Sequence, residues 1–194
     1  MMQAIETIYN GYRFRSRLEA RWAIFFDEMK ITYHYEIEGF VFGNIKYLPD
    51  FYLPEHKLWL EIKPDTPSKD ELEKARLLKS NAGEGIEVGI LYGEPWVTPD
   101  PDSSISIQDT HYCLLLLNSW FGGEDINCLF SQCRRCNKLL FDETISSHCE
   151  NGRFADGNVG YGCCDRMGIT FSDKLENAYT AARQARFEHG EKPR

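Results

Sequence analysis

The chain lacks cysteine in its first 112 residues, lacks an apolar run long enough to cross a bilayer, and is short of positive charge. Its 22 Lys and Arg residues face 30 Asp and Glu residues, so the formal net charge is −8. Broad affinity for nucleic acid comes from basic residues that displace counterions from phosphates. The sequence therefore excludes a protein that coats nucleic acid indiscriminately, whereas a contact limited to one site stays open.

An early apolar segment with a basic flank and a small-residue cleavage site is also absent, so we expect a cytoplasmic protein with no membrane partner. The chain has 194 residues, of which 42% are hydrophobic. A chain of this size can bury one main core and a small satellite. We therefore expect a main domain over residues 1–120, a small module over 121–170, and a C-terminal helix and tail over 171–194.

Hydrophobic periodicity predicts the elements of the first half of the chain. Apolar residues at helical spacing predict an amphipathic helix over residues 15–30, with Glu19 at the edge of its buried stripe. A capping box of Ser68 and Glu71 predicts the start of a second helix. Strands are predicted over residues 32–36, 46–53, 58–63 and 86–90. This order predicts an α/β fold with a mixed sheet and helices packed on it.

The segment PDFYLPEHKLWLEIK, residues 49–63, carries the charges that suggest chemistry. Alternation along its second strand places Glu61 and Lys63 on one face. If Asp50, Glu61 and Glu19 converge, each pair of carboxylates about 4 Å apart repels by roughly 4 kcal/mol at an effective dielectric near 20. A divalent cation relieves this repulsion, and hard oxygen ligands favour Mg²⁺ or Mn²⁺. The competing interpretation is a plain surface hairpin whose charges are solvated.

The order of these residues resembles the PD-(D/E)xK superfamily, the restriction-endonuclease-like nucleases. The motif is Pro49-Asp50 followed by Glu61-Ile62-Lys63, and the upstream Arg15-Ser16-Arg17-Leu18-Glu19 resembles a Ser-x-Leu-Glu helix motif found in several branches. The pattern, including residues 181–191, is similar to that of small nuclease-like proteins of actinobacterial phages. The resemblance implies a restriction-endonuclease-like αβββαβ core, with its catalytic part in about residues 12–92, and a bacterial or phage-infected cell as the setting.

The resemblance also implies roles for individual residues. Asp50 and Glu61 hold Mg²⁺ or Mn²⁺ with the backbone carbonyl of Ile62, Lys63 orients and activates water, and Glu19 supports a metal. The implied activity is hydrolysis of DNA phosphodiester bonds, by endonuclease or exonuclease cutting, and a homodimer is an option if both strands are cut. A non-catalytic nucleic-acid- or protein-binding module on the same fold, for example a phage inhibitor of host machinery, stays open as the alternative.

The seven cysteines are bunched in the second half of the chain. Cys133 and Cys136 have the spacing of a zinc knuckle, which predicts a structural Zn²⁺ site in a reducing compartment. The residues available to complete the site are Cys149, Cys163 and Cys164, with His148 as an alternative ligand. Cys113 and Cys128 are expected to be buried apolar thiols.

Arginines cluster near both predicted sites and are candidates for phosphate contacts. Arg13 and Arg15 lie close to Glu19 in the sequence, and Arg134 and Arg135 lie within the knuckle. The alternative is that arginines of the first helix pair with nearby carboxylates. Residues 94–111 are predicted to form a loop or linker, residues 112–117 an edge strand or part of the domain junction, and residues 172–188 a helix capped by Ser172.

Overall fold

The computed structural model describes residues 5–95, 114–117, 125–132, 139–142 and 172–187. In these residues the protein has a mixed α/β fold with three α-helices, one seven-stranded mixed sheet and two separate hairpins, so the α/β class with a mixed sheet is confirmed. The helices are α1 (Arg17–Met29), α2 (Lys69–Asn81) and α3 (Asp173–Gln184). The strands are β1 (Thr7–Tyr9), β2 (Tyr12–Phe14), β3 (His34–Tyr35), β4 (Phe40–Phe42), β5 (Ile45–Tyr47), β6 (Phe51–Leu53), β7 (Leu58–Lys63), β8 (Glu87–Tyr92), β9 (Leu114–Leu116), β10 (Ile126–Gln132) and β11 (Leu139–Asp142).

The large sheet has the strand order β11-β10-β9-β8-β7-β6-β3. Strands β7 and β8 run parallel, and the other neighbouring pairs are antiparallel. A parallel pair needs a crossover connection, and α2 supplies it between the end of β7 and the start of β8. The capping box predicted for this helix is confirmed, since Ser68 and Glu71 hold each other's backbone N–H groups.

Helix α1 covers one face of the sheet because its apolar residues form a continuous stripe. Ser16 caps its N-terminus by accepting a hydrogen bond from the N–H of Glu19, and Lys30 ends it in the left-handed conformation. Its Trp22, Phe25 and Phe26 are fully buried. Helix α3, capped by Ser172 as predicted, packs against α1 and adds the Leu175 and Tyr179 side chains to the same core.

The other face of the sheet is covered by α2 and by the β4–β5 hairpin. Trp59 of β7 lies in this second core, 5% exposed, with Phe40 of the hairpin and Tyr52 of β6 against its ring. Leu58, Leu60 and Ile62 point to the α1 side, so the predicted alternation of β7 is confirmed. Burial on both faces leaves the ends of the strands as the positions where charged side chains can gather.

One predicted strand is two strands in the structure. Residues 46–53 divide into the end of β5, which pairs with β4, and β6, which pairs with β3 and β7. Pro49 lies between the two strands, and proline has no N–H to donate to a ladder. The break allows the chain to leave the hairpin and enter the large sheet, and it places Asp50 directly before β6.

Several predicted features lie outside the described residues. These are Cys113, most of the loop over residues 94–111, the arginines Arg134 and Arg135, and the zinc ligands Cys133, Cys136, Cys149, Cys163 and Cys164. Cys128 is buried, as expected. Strands β9 and β10 flank residue 120 and pair with each other in the large sheet, while the division into domains stays a prediction. No described helix has the length and apolar character needed to cross a bilayer.

Candidate active site

The register of β6 and β7 brings Asp50 and Glu61 together. Phe51 pairs with Leu60 and Tyr52 with Trp59, so one step further along the ladder Asp50 stands opposite Glu61. Side chains directly opposite in an antiparallel pair lie on the same face, with Cβ atoms about 5 Å apart. The two carboxylates of the sequence motif therefore share one end of the sheet.

Asp50 is held by the backbone of both neighbouring strands. Its Oδ2 accepts a hydrogen bond from the N–H of Ile62 at 2.6 Å, and its carbonyl accepts one from the N–H of Glu36 at 2.9 Å. The residue is 6% exposed. Burial, and then the charges of Glu61 and Glu19, raise the pKa of Asp50 well above its ordinary value, although the Ile62 hydrogen bond and the Lys63 charge oppose the rise.

The N–H of Ile62 points from β7 toward β6, where Asp50 lies. The N–H and C=O of one residue point to the same side of a strand, so the Ile62 carbonyl points toward β6 as its N–H does. The last ladder pair of β6 and β7 is Phe51 with Leu60, so the Ile62 carbonyl lies beyond the end of the paired strands.

Glu61 uses its two carboxylate oxygens differently. Oε1 lies 2.6 Å from Nζ of Lys63. Oε2 is buried and has no hydrogen-bond partner among the described residues. The hydroxyl of Tyr47 lies close enough to Glu61 for hydrogen bonding to contribute, after burial and the charges of Glu61 and Asp50, to the raised pKa of Tyr47, so this hydroxyl stays protonated. A buried carboxylate oxygen without a donor is costly unless something positive or protic reaches it.

Lys63 lies between carboxylates of two elements. Its Nζ is 2.6 Å from Oε1 of Glu61 on β7 and 3.3 Å from Oε1 of Glu71 on α2. Partial burial by itself would lower the pKa of Lys63, but the charges of Glu61 and Glu71 and the hydrogen bonds to them outweigh it and raise the pKa. The ammonium group therefore stays charged beside the two acids of the motif.

Glu19 is buried and already has three donors. Its Oε2 accepts hydrogen bonds from the Tyr35 hydroxyl at 2.6 Å and the Arg15 N–H at 3.0 Å, and its Oε1 accepts one from the Ser16 hydroxyl at 2.7 Å. We expected this carboxylate at the edge of the buried stripe, and it is 7% exposed. Glu19 therefore fixes the start of α1, while its negative charge still acts on Asp50.

Arg13 and Arg15, the two proposed phosphate contacts that lie in the described residues, are engaged in ion pairs. Arg13 pairs with Glu6 at 3.1 Å, and both side chains are well exposed. Arg15 pairs with Glu36, the residue whose N–H binds the Asp50 carbonyl. Exposed ion pairs of this kind contribute little stability, so either arginine could exchange its carboxylate partner for a phosphate.

The residues present fit a hard divalent cation with few protein ligands. In the described part of the chain no group of three or more His, Cys, Asp and Glu residues has a metal-binding arrangement. Mg²⁺, however, commonly uses one or two carboxylates and keeps several waters. Asp50, the Ile62 carbonyl and the partnerless Oε2 of Glu61 offer such a set.

Sequence reasoning missed two residues of this site. Glu71 was assigned to the cap of α2, and its contact with Lys63 depends on the crossover from β7 to that helix. Tyr47 was assigned to a strand, and its position near Glu61 depends on the break at Pro49. Comparison of the chain with protein-family models, curated proteins and solved structures found no match.

Proposed function

We propose that this protein is a metal-dependent nuclease that hydrolyses phosphodiester bonds of DNA on a restriction-endonuclease-like core. Asp50, Glu61 and the carbonyl of Ile62 would hold Mg²⁺ or Mn²⁺. The element order α1, β3, β6, β7, α2, β8 supports this assignment, because it has the αβββαβ sequence with the β4–β5 hairpin inserted. The split motif falls at the start of β6 and the end of β7.

The observation that carries the proposal is the pairing of Asp50 with Glu61 beside Lys63. Asp50 is a buried acid with a raised pKa, and it faces Glu61, which has one buried oxygen without a hydrogen-bond partner among the described residues. This arrangement does not stabilise the fold by itself, so it suggests a ligand. The raised pKa of Asp50 and the partnerless Oε2 of Glu61 are both relieved by a cation. Lys63 alone does not relieve them, since its Nζ contacts the other oxygen of Glu61.

The residues of the chain have distinct parts in the proposed reaction. A Mg²⁺ or Mn²⁺ held by Asp50, Glu61 and the Ile62 carbonyl would activate a water molecule and polarise a phosphoryl oxygen. The Lys63 ammonium contacts the scissile phosphate or the attacking water, which bonds to phosphorus as the bond to the leaving oxygen breaks and that oxygen takes a proton. Asp50 and Glu61 orient the site from two strands. Glu19 acts through its charge on Asp50, because its own oxygens are already bonded.

A non-catalytic binding module for nucleic acid or protein is the second candidate. It is favoured by the ion pairs inside the site, where the single positive charge of Lys63 already contacts both Glu61 and Glu71. Such a module would bind its partner equally well without the acids and the lysine of the motif.

Cleavage assays separate the two candidates. The wild-type protein and the variants Glu61→Gln and Lys63→Met are tested on labelled duplex, single-stranded, nicked and branched DNA, with Mg²⁺, with Mn²⁺ and with chelator. We expect metal-dependent cleavage by the wild type and a loss of roughly 100-fold or more in each variant. A wild-type protein that binds DNA and cuts none of these substrates under any metal condition would exclude the nuclease.

The matched control is the ion pair between Lys79 and Glu87, which lies at the opposite end of the sheet. Nζ of Lys79 lies 2.9 Å from Oε2 of Glu87, with side-chain exposures of 18% and 28%. Glu87 pairs with Leu58 at the start of β7, whereas Lys63 ends that strand. Lys79→Met therefore removes a similar ion pair far from the site, and we expect its cleavage rate to stay within about two-fold of the wild type.

We also propose, from the sequence pattern, a structural Zn²⁺ site within residues 121–170. Cys133 and Cys136 would bind the metal together with ligands drawn from Cys149, Cys163 and Cys164. Metal analysis of the purified protein should give about one zinc per chain, and Cys133→Ser should lose it. Arg13, Arg15, Arg134 and Arg135 remain the proposed phosphate contacts, and a homodimer remains an option for cutting both strands.

A further inference from the structure

Glu71 links the start of α2 to the end of β7 through its two carboxylate oxygens. Oε2 accepts hydrogen bonds from the N–H and the hydroxyl of Ser68, at 2.8 and 2.7 Å. Oε1 lies 3.3 Å from Nζ of Lys63. One side chain therefore closes the capping box and also reaches the lysine of the motif.

The cap fixes the position of this carboxylate. Glu71 is the third residue of α2, where backbone N–H groups and the helix dipole favour a negative charge. Slight burial would raise the pKa of Glu71, but the Ser68 hydrogen bonds and the Lys63 charge outweigh it and lower the pKa. The carboxylate beside Lys63 is therefore both ionised and held in place by its own helix.

Glu61 alone would hold the Lys63 ammonium group weakly once a divalent cation is bound in the proposed site. The proposed function assigns Glu61 to a divalent cation, and a carboxylate neutralised by a cation attracts an ammonium group less strongly. The cation also repels the ammonium directly. Glu71 is outside the Asp50 and Glu61 pair, so its attraction for Lys63 persists when those two acids are used.

We infer that Glu71 is a positioning residue, which holds the Lys63 ammonium at the end of β7 from the first turn of α2. This inference rests on the proposed nuclease function. Glu71 does not touch the reacting atoms in this assignment. Glu71 fixes the position of the Lys63 ammonium group, so the loss of Glu71 should lower the rate of the chemical step more than it lowers the affinity for DNA.

The alternative is that Glu71 only caps α2, and two substitutions separate these roles. Glu71→Gln keeps the capping box, because glutamine also serves at this position, and it removes the charge that faces Lys63. Ser68→Ala weakens the cap and keeps that charge. Asp70→Asn is the matched control, since Asp70 is an exposed acid in the same first turn.

The first measurement separates kcat from KM for cleavage by these variants. We expect Glu71→Gln to lower kcat roughly ten-fold with little change in KM, because Lys63 is misplaced while the DNA contacts remain. Asp70→Asn should keep kcat within about two-fold. Ser68→Ala, which keeps the Glu71 charge and the Ser68 N–H but loses one of the hydrogen bonds that hold Glu71, should lower kcat less than Glu71→Gln does. A capping role alone predicts the wild-type kcat for Glu71→Gln.

The second measurement does not need catalysis. The rate of acetylation of Lys63 by a small reagent, read by mass spectrometry on the folded protein, should rise roughly two- to five-fold in Glu71→Gln and stay unchanged in Asp70→Asn. An unchanged rate in Glu71→Gln overturns the inference whether or not the wild type cuts DNA. Absent cleavage with a raised acetylation rate overturns the proposed nuclease and leaves Glu71 as the anchor of Lys63.

Discussion

The carboxylate of Asp50 accepts a hydrogen bond from the backbone N–H of Ile62 at 2.6 Å, across the gap between β6 and β7. This bond continues the pairing of the two strands beyond the last ladder pair, with a side chain in place of a carbonyl. It fixes the first acid of the motif against the strand that carries the second. The distance between the acids is therefore set by the sheet.

Replacing Asp50 by asparagine should stabilise the folded protein in chelator at neutral pH. Asparagine keeps an oxygen that can accept from Ile62, and it removes a buried negative charge from beside Glu61 and Glu19. We expect a gain on the order of 1 kcal/mol or more in the free energy of unfolding, a typical exchange of function for stability. Thermal unfolding measures it, and a lower Tm for Asp50→Asn would contradict a strained acid pair.

Removing the Tyr35 hydroxyl should destabilise the start of α1. The hydroxyl donates to Oε2 of buried Glu19 at 2.6 Å. Tyr35→Phe should cost about 1–2 kcal/mol, because a buried carboxylate loses one of its donors. Denaturant titration tests this against Tyr52→Phe, a half-buried tyrosine on the Trp59 face, for which we expect a smaller loss. Equal losses in the two variants would argue against a special role for the Tyr35–Glu19 bond.

Alanine substitutions at Gly89 and Gly39 should have different effects on the free energy of unfolding. A Cβ at Gly89 would meet Cδ1 of Leu114 at 2.9 Å and the carbonyl oxygen of Leu115 at 3.2 Å, so the Leu114 side chain would have to move and the β9 backbone would have to shift slightly away from β8. Gly89→Ala should cost about 1–3 kcal/mol of unfolding free energy. At Gly39 the nearest atoms lie at 3.8 Å, and alanine there should be neutral or slightly stabilising, by up to about 1 kcal/mol. If Gly89→Ala and Gly39→Ala shift the urea midpoint of unfolding equally, the close contact between Gly89 and β9 would be contradicted.

The stability contributed by Glu71 should depend on pH in one direction. The pKa of Glu71 is lower in the folded protein than its ordinary value of 4.5, so the charged form favours folding. This stabilisation is present above that ordinary value and is lost as the pH falls through the lowered folded value. At pH 7 Glu71→Gln should be less stable than the wild type by about 0.5–1 kcal/mol. Unfolding curves from pH 7 to pH 3 should converge, and a constant difference would contradict the assignment.

Local signals were sufficient for several elements. The bounds of β7 follow from its alternation and from Pro64 behind it, and the start of α2 follows from the capping box of Ser68. The N-cap of α3 at Ser172 was likewise readable. These features depend on residues within a few positions of one another, so a single segment carries the information.

Features that depend on distant pairing were not readable in the same way. The division of residues 46–53 depends on which strands are available as partners, and the burial of Trp59 depends on the β4–β5 hairpin that covers it. The β1–β2 hairpin was missed although its turn is Asn10-Gly11, a strong hairpin signal, with φ of 46° and 83°. The Glu71–Lys63 contact spans the β7–α2 crossover, which periodicity alone does not orient.

Strand β7 lies between β6 and β8, so its register determines where the side chains of Glu61 and Lys63 lie. A shift of this strand by one residue would turn Glu61 and Lys63 into the core under α1 and bring Leu60 and Ile62 out to the opposite face. Such a slip would have to break the ladders to β6 and β8 at once. The positions of Glu61 and Lys63 are therefore fixed by both neighbouring strands, and a substitution that weakens either ladder should displace these two charges before the sheet unfolds.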